Sequence, residues 1–455
     1  MSNPGDADNR PIGSMRDLAD YLASGCKPAA AFRIGTEHEA FGFTSPAFQP
    51  PSYQGEHGIQ ALLADMRQET GAETILDGEN VIGLKWGGAS ISLEPGGQFE
   101  LSGAPLATLH ETKAELDAHI ARLHKLAPPL GLGFAPLGFH PQATRADMPM
   151  MPKGRYQLMR AYMPTVGTRG LDMMFRTCTV QANLDFASEA DMVKKLRVAS
   201  AFQPLATALF ANSPFVEGKP NGYLSNRALA WTDTDNARSG IPAVIFEEGF
   251  GFERYAEWLL DVPMYFVYRD GQYINALGQS FRDFMAGRLG ALPGERATVG
   301  DFADHATTAF PDARLKKYIE TRGADAGSPA MMLAQSALWT GLLYDQTALD
   351  AAYELSRKLS YQTLLTLRAQ VPHTGINTPF GTQTLRALAA ELVAIAQAGL
   401  AARHRCDEQG RDERVYLDPL ADIAAGAPTQ AERWLALYHG AWNGDVTHIF
   451  EAAAL

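Results

Sequence analysis

The chain has 455 residues, of which 46% are hydrophobic and 20% charged, with a net charge of -12 at pH 7. This composition is typical of a globular protein with a large core, built as one elaborated domain or as two. The acidic balance, without a cluster of Lys and Arg, disfavours a nucleic-acid partner, and no run of about 18 apolar residues predicts a membrane span.

The N-terminal segment, residues 1–11, contains two Asp and no apolar core. We expect it to be disordered, since it resembles neither a secretory signal nor a typical transit peptide. Three scattered cysteines fit neither a disulfide framework nor a zinc site, as is usual in a reducing compartment. We therefore expect a cytoplasmic protein. We also expect residues 12–455 to form a single domain.

A short amphipathic helix over residues 15–24 precedes a predicted strand at residues 32–43, which carries Glu37 and Glu39 in an apolar setting. Side chains alternate along a strand, so both carboxylates would point the same way, about 7 Å apart. Two anions on one face repel, and a hard cation such as Mg²⁺ would stabilise them. The alternative is an exposed strand on which Arg33 pairs with them.

Glu94 and Glu100 repeat this pattern on either side of a turn at residues 95–97. A three-residue loop would place Glu94 opposite Gln98 and on the same face as Glu100, whereas a two-residue loop would separate the two acids. The alternative interpretation is an ordinary hairpin with solvated carboxylates.

Two helices flank this hairpin in the sequence. Residues 57–70 place apolar side chains at helical intervals, and Thr108 with Glu111 resembles a capping box that begins a second helix. His110, His119 and His124 on or near this second helix do not share one face, so we expect them to be solvated.

Polar and apolar residues alternate over residues 173–186. One face carries Cys178, Val180, Ala182 and Leu184; the other carries Thr177, Thr179, Gln181, Asn183 and Asp185. This pattern predicts a half-buried strand with a polar working face, which suits the floor of a cleft that holds a small polar ligand. The alternative is an edge that faces solvent.

A long helix is predicted to begin at Ser188, with a kink at Pro204. Asp270-Gly271 then predicts a hairpin between residues 264–269 and 272–277. This antiparallel pairing argues against a doubly wound nucleotide-binding fold. From about residue 328 the chain is rich in Ala and Leu, and helical patterns near 330–343, 346–369, 381–403 and 429–440 predict a helical layer over the sheet.

Common catalytic signatures are missing from the sequence. There is no Walker A, HExxH or GxSxG sequence, and GLGFAPLG lacks the dinucleotide-binding spacing. What remains is a set of acids in strand-like or helix-end settings with arginines nearby: Glu37, Glu39, Glu94, Glu100 and Glu320.

Eight long blocks occur together in this chain: GTEHEAFGF, SLEPGGQFELSGAP, MPKGRYQLMRAYMP, MMFRTCTVQANLDF, ALFANSPFVEGKPNG, WTDTD, DVPMYFVYRDGQYI and LKKYIETRGAD. With them the sequence resembles the glutamate–cysteine ligases of the plant and proteobacterial type, from about residue 30 to 345 with a weaker tail. The resemblance implies an α+β fold in which a largely antiparallel sheet forms the active-site cleft under covering helices, related to the catalytic domain of glutamine synthetase.

The resemblance also implies the reaction. ATP and Mg²⁺ would support joining of the L-glutamate γ-carboxyl to the L-cysteine amine through a γ-glutamyl phosphate, the first step of glutathione biosynthesis, in a monomer or homodimer. Glutamate and triphosphate repel each other, so metal ions bridge the phosphate oxygens while arginines neutralise the charge that develops during transfer.

By resemblance, metal binding is assigned to Glu37, Glu39, Glu94, Glu100, Gln181 and Glu320. Arg322 would meet the nucleotide and the transferring phosphoryl group; the alternative is a surface arginine paired with Asp325. Arg238 is the candidate for gripping the glutamate α-carboxylate, because guanidinium binds carboxylates at two points. The alternative interpretation of Arg238 is a loop arginine that pairs with Asp233 or Asp235.

Thr179 and Asn183 on the polar strand are further candidates for substrate binding. The cysteine thiol would need a small, partly apolar pocket, for which several side chains are available, although core packing explains each equally well: Met173, Met174, Phe175, Tyr265 and Tyr268.

Three other functions remain open. A ligase with a different amine substrate would have the same metal and phosphate residues, and a phosphotransferase of the guanidino-kinase sort shares the wider superfamily. A non-catalytic sensor of glutamate or nucleotide is the third, and retention of all five glutamates weighs against it.

Overall fold

Nine strands form one antiparallel sheet in the computed structural model, which describes residues 8–455. The strands are β1 (Ile34–Thr44), β2 (Glu73–Asp77), β3 (Asn80–Trp86), β4 (Ala89–Leu93), β5 (Phe99–Ser102), β6 (Leu132–Ala135), β7 (Thr179–Leu184), β8 (Ala313–Leu315) and β9 (Ile319–Asp325). Their order is β8–β9–β7–β1–β5–β4–β3–β2, and β6 pairs with the end of β1. The long strand β1 therefore lies at the centre, between β5 and β7.

Short strand pairs decorate the sheet. They are Phe266–Arg269 with Gln272–Asn275, Phe215–Val216 with Lys219–Pro220, Ser239–Gly240 with Phe310–Pro311, and Pro379–Phe380 with Gln383–Thr384. The first of these is the predicted hairpin, and its turn residues Asp270 and Gly271 have φ of 50° and 80°, the left-handed values that a two-residue turn requires.

Helices cover the sheet. Those beginning before residue 300 are Met15–Ala23, Ile59–Thr70, Leu109–Leu126, Gly154–Val166, Gly170–Arg176, Glu189–Ala201, Gln203–Leu209, Asn226–Ala230, Phe252–Leu260, Phe281–Met285 and Val299–Ala306. Those after it are Pro329–Leu343, Gln346–Ser356, Tyr361–Thr374, Leu385–Arg403, Asp418–Ala425, Gln430–His439 and His448–Ala452. The predicted helical layer from about residue 328 is thus present, although the helix expected at 346–369 is divided at residues 357–360.

The apolar face of β7 packs against helices on one side of the sheet. Val180, Ala182 and Leu184 are fully buried in a core shared with the helices Glu189–Ala201 and Pro329–Leu343. The polar face of β7 points the other way, toward a cavity. The alternation in the sequence therefore predicted both faces correctly, but the strand begins only at Thr179.

Residues 170–176 form a helix where the sequence predicted that the strand had begun at residue 173. Met173, Met174 and Phe175 are all buried, so their side chains carry no alternation of polar and apolar character that could mark a helix. A second difference is at Pro204, which lies in the first turn of its own helix, Gln203–Leu209, and does not kink a longer one.

Thr108 caps the helix Leu109–Leu126 as predicted, by accepting a hydrogen bond from the Glu111 N–H. His119 on that helix is buried, however, and stacks on Phe99. It shares the inward face with Leu116 and Leu123, at spacings of three and four residues, so the expectation that it is solvated was wrong.

Two glycines bring the backbones of two helices into contact. Gly341 lies on Pro329–Leu343 and Gly399 on Leu385–Arg403, and a Cβ added at Gly399 would lie 1.9 Å from the Gly341 carbonyl oxygen. The helix Leu385–Arg403 is long and apolar enough to span a membrane by length and composition, with a mean hydropathy of 1.5. Core helices pass the same test, and this helix buries one face against its neighbours.

The disorder expected for residues 1–11 does not extend to residues 8–11. Pro11 forms a bridge with Thr298, and the Val299 N–H donates to the Arg10 carbonyl oxygen at 2.9 Å. Residues 1–7 lie outside the described residues.

Candidate active site

A cavity with about 820 Å³ of atom-free space, including its open mouth, lies against the polar face of β1, β5 and β7. Seven of the residues singled out from the sequence line it: Glu37, Glu39, Glu94, Glu100, Thr179, Gln181 and Arg322. Met173 and Met174, two of the side chains considered for a thiol pocket, line it as well. Residues far apart in the chain thus meet in one place because β1 pairs with both β5 and β7.

Glu39 and Glu100 form the centre of an acidic wall. Their Cα atoms are direct partners on β1 and β5, and the two residues are only 7% and 2% exposed. Burial, together with the charges of Glu100 and Glu94, raises the pKa of Glu39 well above its ordinary value. The Thr179 N–H opposes this shift by donating to Glu39 Oε2 at 2.8 Å.

Glu94 joins this wall because the turn after β4 has three residues. The Glu94 N–H donates to the Gln98 carbonyl oxygen at 3.0 Å, so Glu94 lies opposite Gln98 and shares a face with Glu100. Burial and the charge of Glu100 raise the pKa of Glu94. A Cβ at Gly96 would lie 2.3 Å from the Phe175 carbonyl oxygen, which explains why this turn needs a glycine.

Glu37 extends the wall along β1. Its Cα partners are Gln181 on β7 and Ser102 on β5. Asn183 donates to Glu37 Oε1 at 3.3 Å. Asn183 is not among the residues that line the cavity, so the structure brings it to the site through Glu37, whereas Thr179 lines the cavity itself.

Four arginines, which we call the basic wall, line the cavity together with the acids. They are Arg155, Arg227, Arg314 and Arg322. Arg322 Nη1 donates to Gln181 Oε1 at 2.7 Å, and its carbonyl oxygen accepts from Arg227 Nη2 at 2.5 Å. Arg322 thus uses one of the two lone pairs of the Gln181 amide oxygen, and the assignment of Gln181 as a metal ligand by resemblance stays a prediction.

Glu320 lies beneath the basic wall and does not line the cavity. Arg314 Nε contacts one carboxylate oxygen and Lys316 Nζ lies 2.6 Å from the other, with Arg322 Nη1 at 3.6 Å. Burial alone would raise the pKa of Glu320, but these three cations hold it well below its ordinary value. In this structure Glu320 holds cationic side chains in place, which is a different role from the predicted metal ligand.

Arg238 is also placed elsewhere. It is fully buried, its Nε donates to Asp235 Oδ2 at 2.6 Å, and its other nitrogens donate to the carbonyl oxygens of Thr308 and Pro263. Its guanidinium stacks on the Tyr265 ring at 3.8 Å. These contacts correspond to the alternative interpretation, an arginine that forms an ion pair with Asp235. They leave Arg238 outside the cavity.

Several lining residues were not found from the sequence. Arg155 lies inside one of the family blocks, MPKGRYQLMRAYMP, so a charged residue in that block was the available signal. Arg227 and Arg314 lie between blocks and carried no such signal. Arg227, Arg322, Trp231 and Phe310 also line a second chamber of about 460 Å³ that adjoins the first.

The acidic wall offers oxygen donors only, which suits a hard divalent cation. Among residues 8–455, no three His, Cys, Asp or Glu side chains already converge on a common metal position. Burial of Glu39 directly opposite Glu100 nevertheless favours a proton or a cation near them, since like charges facing each other across strands are destabilising. Burial raises the pKa of Glu100, but nearby cations that include Lys153 lower it. The residues present therefore fit Mg²⁺ in their chemistry.

The sequence is similar to known proteins over nearly its full length. Residues 33–452 match the family model of glutamate-cysteine ligase family 2 (GCS2). A chloroplastic glutamate–cysteine ligase of Medicago truncatula is 49% identical over 96% of this chain and 84% of its own, and one of Nicotiana tabacum is 50% identical over 96% and 82%. Both relatives are named as chloroplastic, so the expectation of a cytoplasmic protein was wrong.

The fold is similar to a solved structure. The crystal structure of a glutamate–cysteine ligase from Francisella tularensis in complex with AMP matches with a TM-score of 0.54 and 12% identity, over 93% of this chain and 87% of that one. At this identity the likeness concerns the fold alone. It confirms the predicted α+β class.

Proposed function

The chain belongs to glutamate–cysteine ligase family 2, and we propose that it joins the γ-carboxyl of L-glutamate to the amine of L-cysteine with consumption of ATP. The observation that carries this proposal is that clustered carboxylates and clustered arginines line the same cavity. A nucleotide with its counter-ion and a dicarboxylic amino acid need both kinds of wall.

The acidic wall would hold Mg²⁺ through the carboxylates of Glu39, Glu94 and Glu100, with Glu37 beside them. The bound ion would neutralise phosphate charge and polarise the phosphoryl group. The carboxylates themselves supply rigid oxygen positions, because they extend from paired strands and the turn between them. We do not retain Glu320 as a ligand, since cationic side chains already contact its oxygens.

The basic wall would receive the transferring phosphoryl group. Arg322 is the catalytic candidate, because it lines the cavity while Glu320 and Gln181 fix its guanidinium. Its N–H groups would stabilise negative charge as the γ-phosphate moves to the glutamate carboxylate, without reorganising during the step. Arg314, held by Glu320, would support the same charge.

Arg227 replaces Arg238 as the candidate for the glutamate α-carboxylate. It lines both the cavity and the second chamber, and its hydrogen bond to the Arg322 carbonyl oxygen uses Nη2. A guanidinium can therefore still offer N–H groups to a carboxylate. The donors of Arg238, in contrast, are already used by Asp235 and two carbonyl oxygens.

Met173 and Met174 would contact the cysteine side chain. Both line the cavity near the acidic wall, and polarizable thioethers pack well against a thiol. The amine of cysteine attacks the acyl phosphate only as the free base, so the cavity also needs an acceptor for its proton.

An isotope experiment tests the proposed reaction. The protein is incubated with ATP, Mg²⁺, cysteine and glutamate labelled with ¹⁸O in the γ-carboxyl, and the products are analysed by mass. We expect γ-glutamylcysteine, ADP and phosphate that carries one ¹⁸O atom, because the carboxylate oxygen attacks the γ-phosphorus and leaves with it.

Other outcomes would identify the competing functions. ADP release that needs only one amino acid, with a stable phosphorylated product, would indicate a phosphotransferase. A γ-glutamyl product that forms with other amines better than with cysteine would indicate a different ligase. Phosphate without ¹⁸O would overturn the acyl phosphate.

A further inference from the structure

Asp325 ends the strand β9, which also carries Glu320 and Arg322. It is fully buried, and both of its carboxylate oxygens accept hydrogen bonds. Oδ2 accepts from the Asn212 N–H at 2.9 Å and from Ser213 Oγ at 2.6 Å, and Oδ1 accepts from Ser225 Oγ at 2.8 Å. These contacts differ from the pairing of Asp325 with Arg322 that the sequence left open.

The two serine hydroxyls that donate to Asp325 also accept. Ser213 Oγ accepts from the Arg227 N–H at 3.3 Å, and Ser225 Oγ accepts from the Ala228 N–H at 3.1 Å. A hydroxyl has a single proton. When that proton is donated in a hydrogen bond to Asp325, the lone pairs of the hydroxyl oxygen are left to accept from N–H donors. Asp325 thereby orients both serines toward the first N–H groups of one helix.

That helix, Asn226–Ala230, has only five residues. A single helical turn does not stabilise itself, because nucleation costs more than its few hydrogen bonds return. Its N-terminal contacts therefore determine where it sits, and a side-chain cap contributes about 1 kcal/mol. Arg227 is the second residue of this helix, and Trp231 directly follows the helix. Both residues line the candidate active-site cavity.

The surroundings of Asp325 leave little room for another arrangement. A Cβ at Gly138 would lie 2.3 Å from Asp325 Cγ, so the chain passes the carboxylate with space for a hydrogen only. Burial lowers the pKa of Arg227, and Asp325 is the strongest of the carboxylates that oppose this shift.

We propose that Asp325 is a positioning residue for glutamate binding: through Ser213 and Ser225 it fixes the short helix that directs Arg227 into the cavity. The inference rests on the proposed role of Arg227 toward the glutamate α-carboxylate. It adds a residue that does not line the cavity yet sets the affinity for one substrate of the three.

Steady-state kinetics of Asp325→Asn tests the proposal. This change keeps the size of the side chain but places an amide where serine hydroxyls donate. We expect the KM for glutamate to rise about 10- to 50-fold, with kcat and the KM for ATP within threefold of wild type. Asp301→Asn is the matched control, because Asp301 is a buried helix-capping aspartate that does not line the cavity, and its KM values should stay unchanged.

A double variant separates this inference from the proposed function. Arg227→Lys alone should raise the KM for glutamate, and adding Asp325→Asn should change it by less than twofold, because Asp325 acts through Arg227. If Arg227→Lys leaves that KM unchanged, the proposed role of Arg227 fails. The inference about Asp325 fails if Arg227→Lys raises the KM for glutamate but Asp325→Asn leaves that KM unchanged. It also fails if Asp325→Asn raises the KM for ATP by the same factor, or if its effect adds in full to that of Arg227→Lys.

Milder variants keep the test decisive if Asp325→Asn does not fold. Ser213→Ala and Ser225→Ala each remove one of the two hydroxyls that join Asp325 to the helix. Each should raise the KM for glutamate by a smaller factor than Asp325→Asn does. Ser225→Thr retains the hydroxyl and should keep the wild-type KM. Equal behaviour of Ser225→Ala and Ser225→Thr would overturn the proposal.

Discussion

Glu39 and Glu100 are direct cross-strand partners on β1 and β5, and both line the same buried cavity. Opposed carboxylates in this position destabilise the folded chain unless a proton or a cation lies near them. The stability of the protein should therefore depend on divalent ions in a way that reports on this pair.

Replacement of Glu39 by Gln should stabilise the metal-free protein while it removes activity. In EDTA we expect Glu39→Gln to raise the unfolding midpoint by roughly 1 °C, since about 1 kcal/mol of repulsion is lost. Added Mg²⁺ with ATP should raise the midpoint of the wild type more than that of the variant. Scanning fluorimetry measures both effects, and Glu56→Gln, which changes an exposed carboxylate outside the cavity, serves as the control.

The stability that Glu39→Gln gains over the wild type in EDTA should also depend on pH. Because the pKa of Glu39 is raised in the folded protein, its carboxyl holds a proton more tightly there than in the unfolded chain. The wild type therefore loses stability relative to the variant as pH rises above about 4.3, and the difference disappears below that value. A difference that grew toward acidic pH would contradict the assignment.

His305 should make the protein sensitive to acid. Burial lowers its pKa to about 4, and its Nε2 contacts the Leu259 carbonyl oxygen at 2.9 Å. The unfolded chain, with a pKa of about 6.5, binds the proton first, so stability is lost as pH falls from about 6.5 toward 4, at about 1.4 kcal/mol per pH unit. Urea unfolding of His305→Gln at pH 7 and pH 5 should show a slope smaller by one proton, whereas exposed His57→Gln should match the wild type.

Loss of Arg238 should affect folding more than substrate binding. Arg238→Met leaves Asp235 as a buried charge without its guanidinium partner, which costs roughly 3–5 kcal/mol. The double variant Arg238→Met/Asp235→Asn should recover part of this loss in denaturant titrations. Glutamate KM in the folded fraction should stay within twofold of wild type, and a selective rise in that KM would restore Arg238 to the substrate site.

Gly399→Ala should strongly destabilise the helical layer. The added methyl would lie 1.9 Å from the Gly341 carbonyl oxygen, and a backbone atom in a helix cannot move aside as a flexible side chain can. Overpacking of this kind costs about 1–3 kcal/mol or more. Gly13→Ala, whose Cβ would meet only Asp17 Oδ2 at 3.4 Å, should leave the midpoint of chemical unfolding unchanged.

Local patterns predicted much of the site. Pro95 to Gly97 and the alternation on β7 indicated which side chains share a face, and five of the predicted metal-binding residues line the cavity: Glu37, Glu39, Glu94, Glu100 and Gln181. The predictions of which side chains share a face succeeded because strand periodicity and turn length are set by residues close together in the chain. The metal-binding roles were assigned by family likeness and stay predictions.

Partners from distant segments could not be read in the same way. Glu320 and Arg238 were assigned by residue type and family likeness, yet their roles here depend on which cation or carboxylate lies beside them. The helix Gly170–Arg176 was missed because its side chains are buried on all sides and show no helical periodicity. The burial of His119 was missed although the residue lies on the apolar face of its own helix.

The contact between Gly341 and Gly399 also bears on how substrates reach the cavity. Where two helix backbones touch, the elements they belong to move as a rigid body, and sliding or hinge bending between them is resisted. Gating during turnover should therefore come from side chains such as Trp231 and Phe310, which line both chambers, and the speed of product release would depend on how fast those rings reorient.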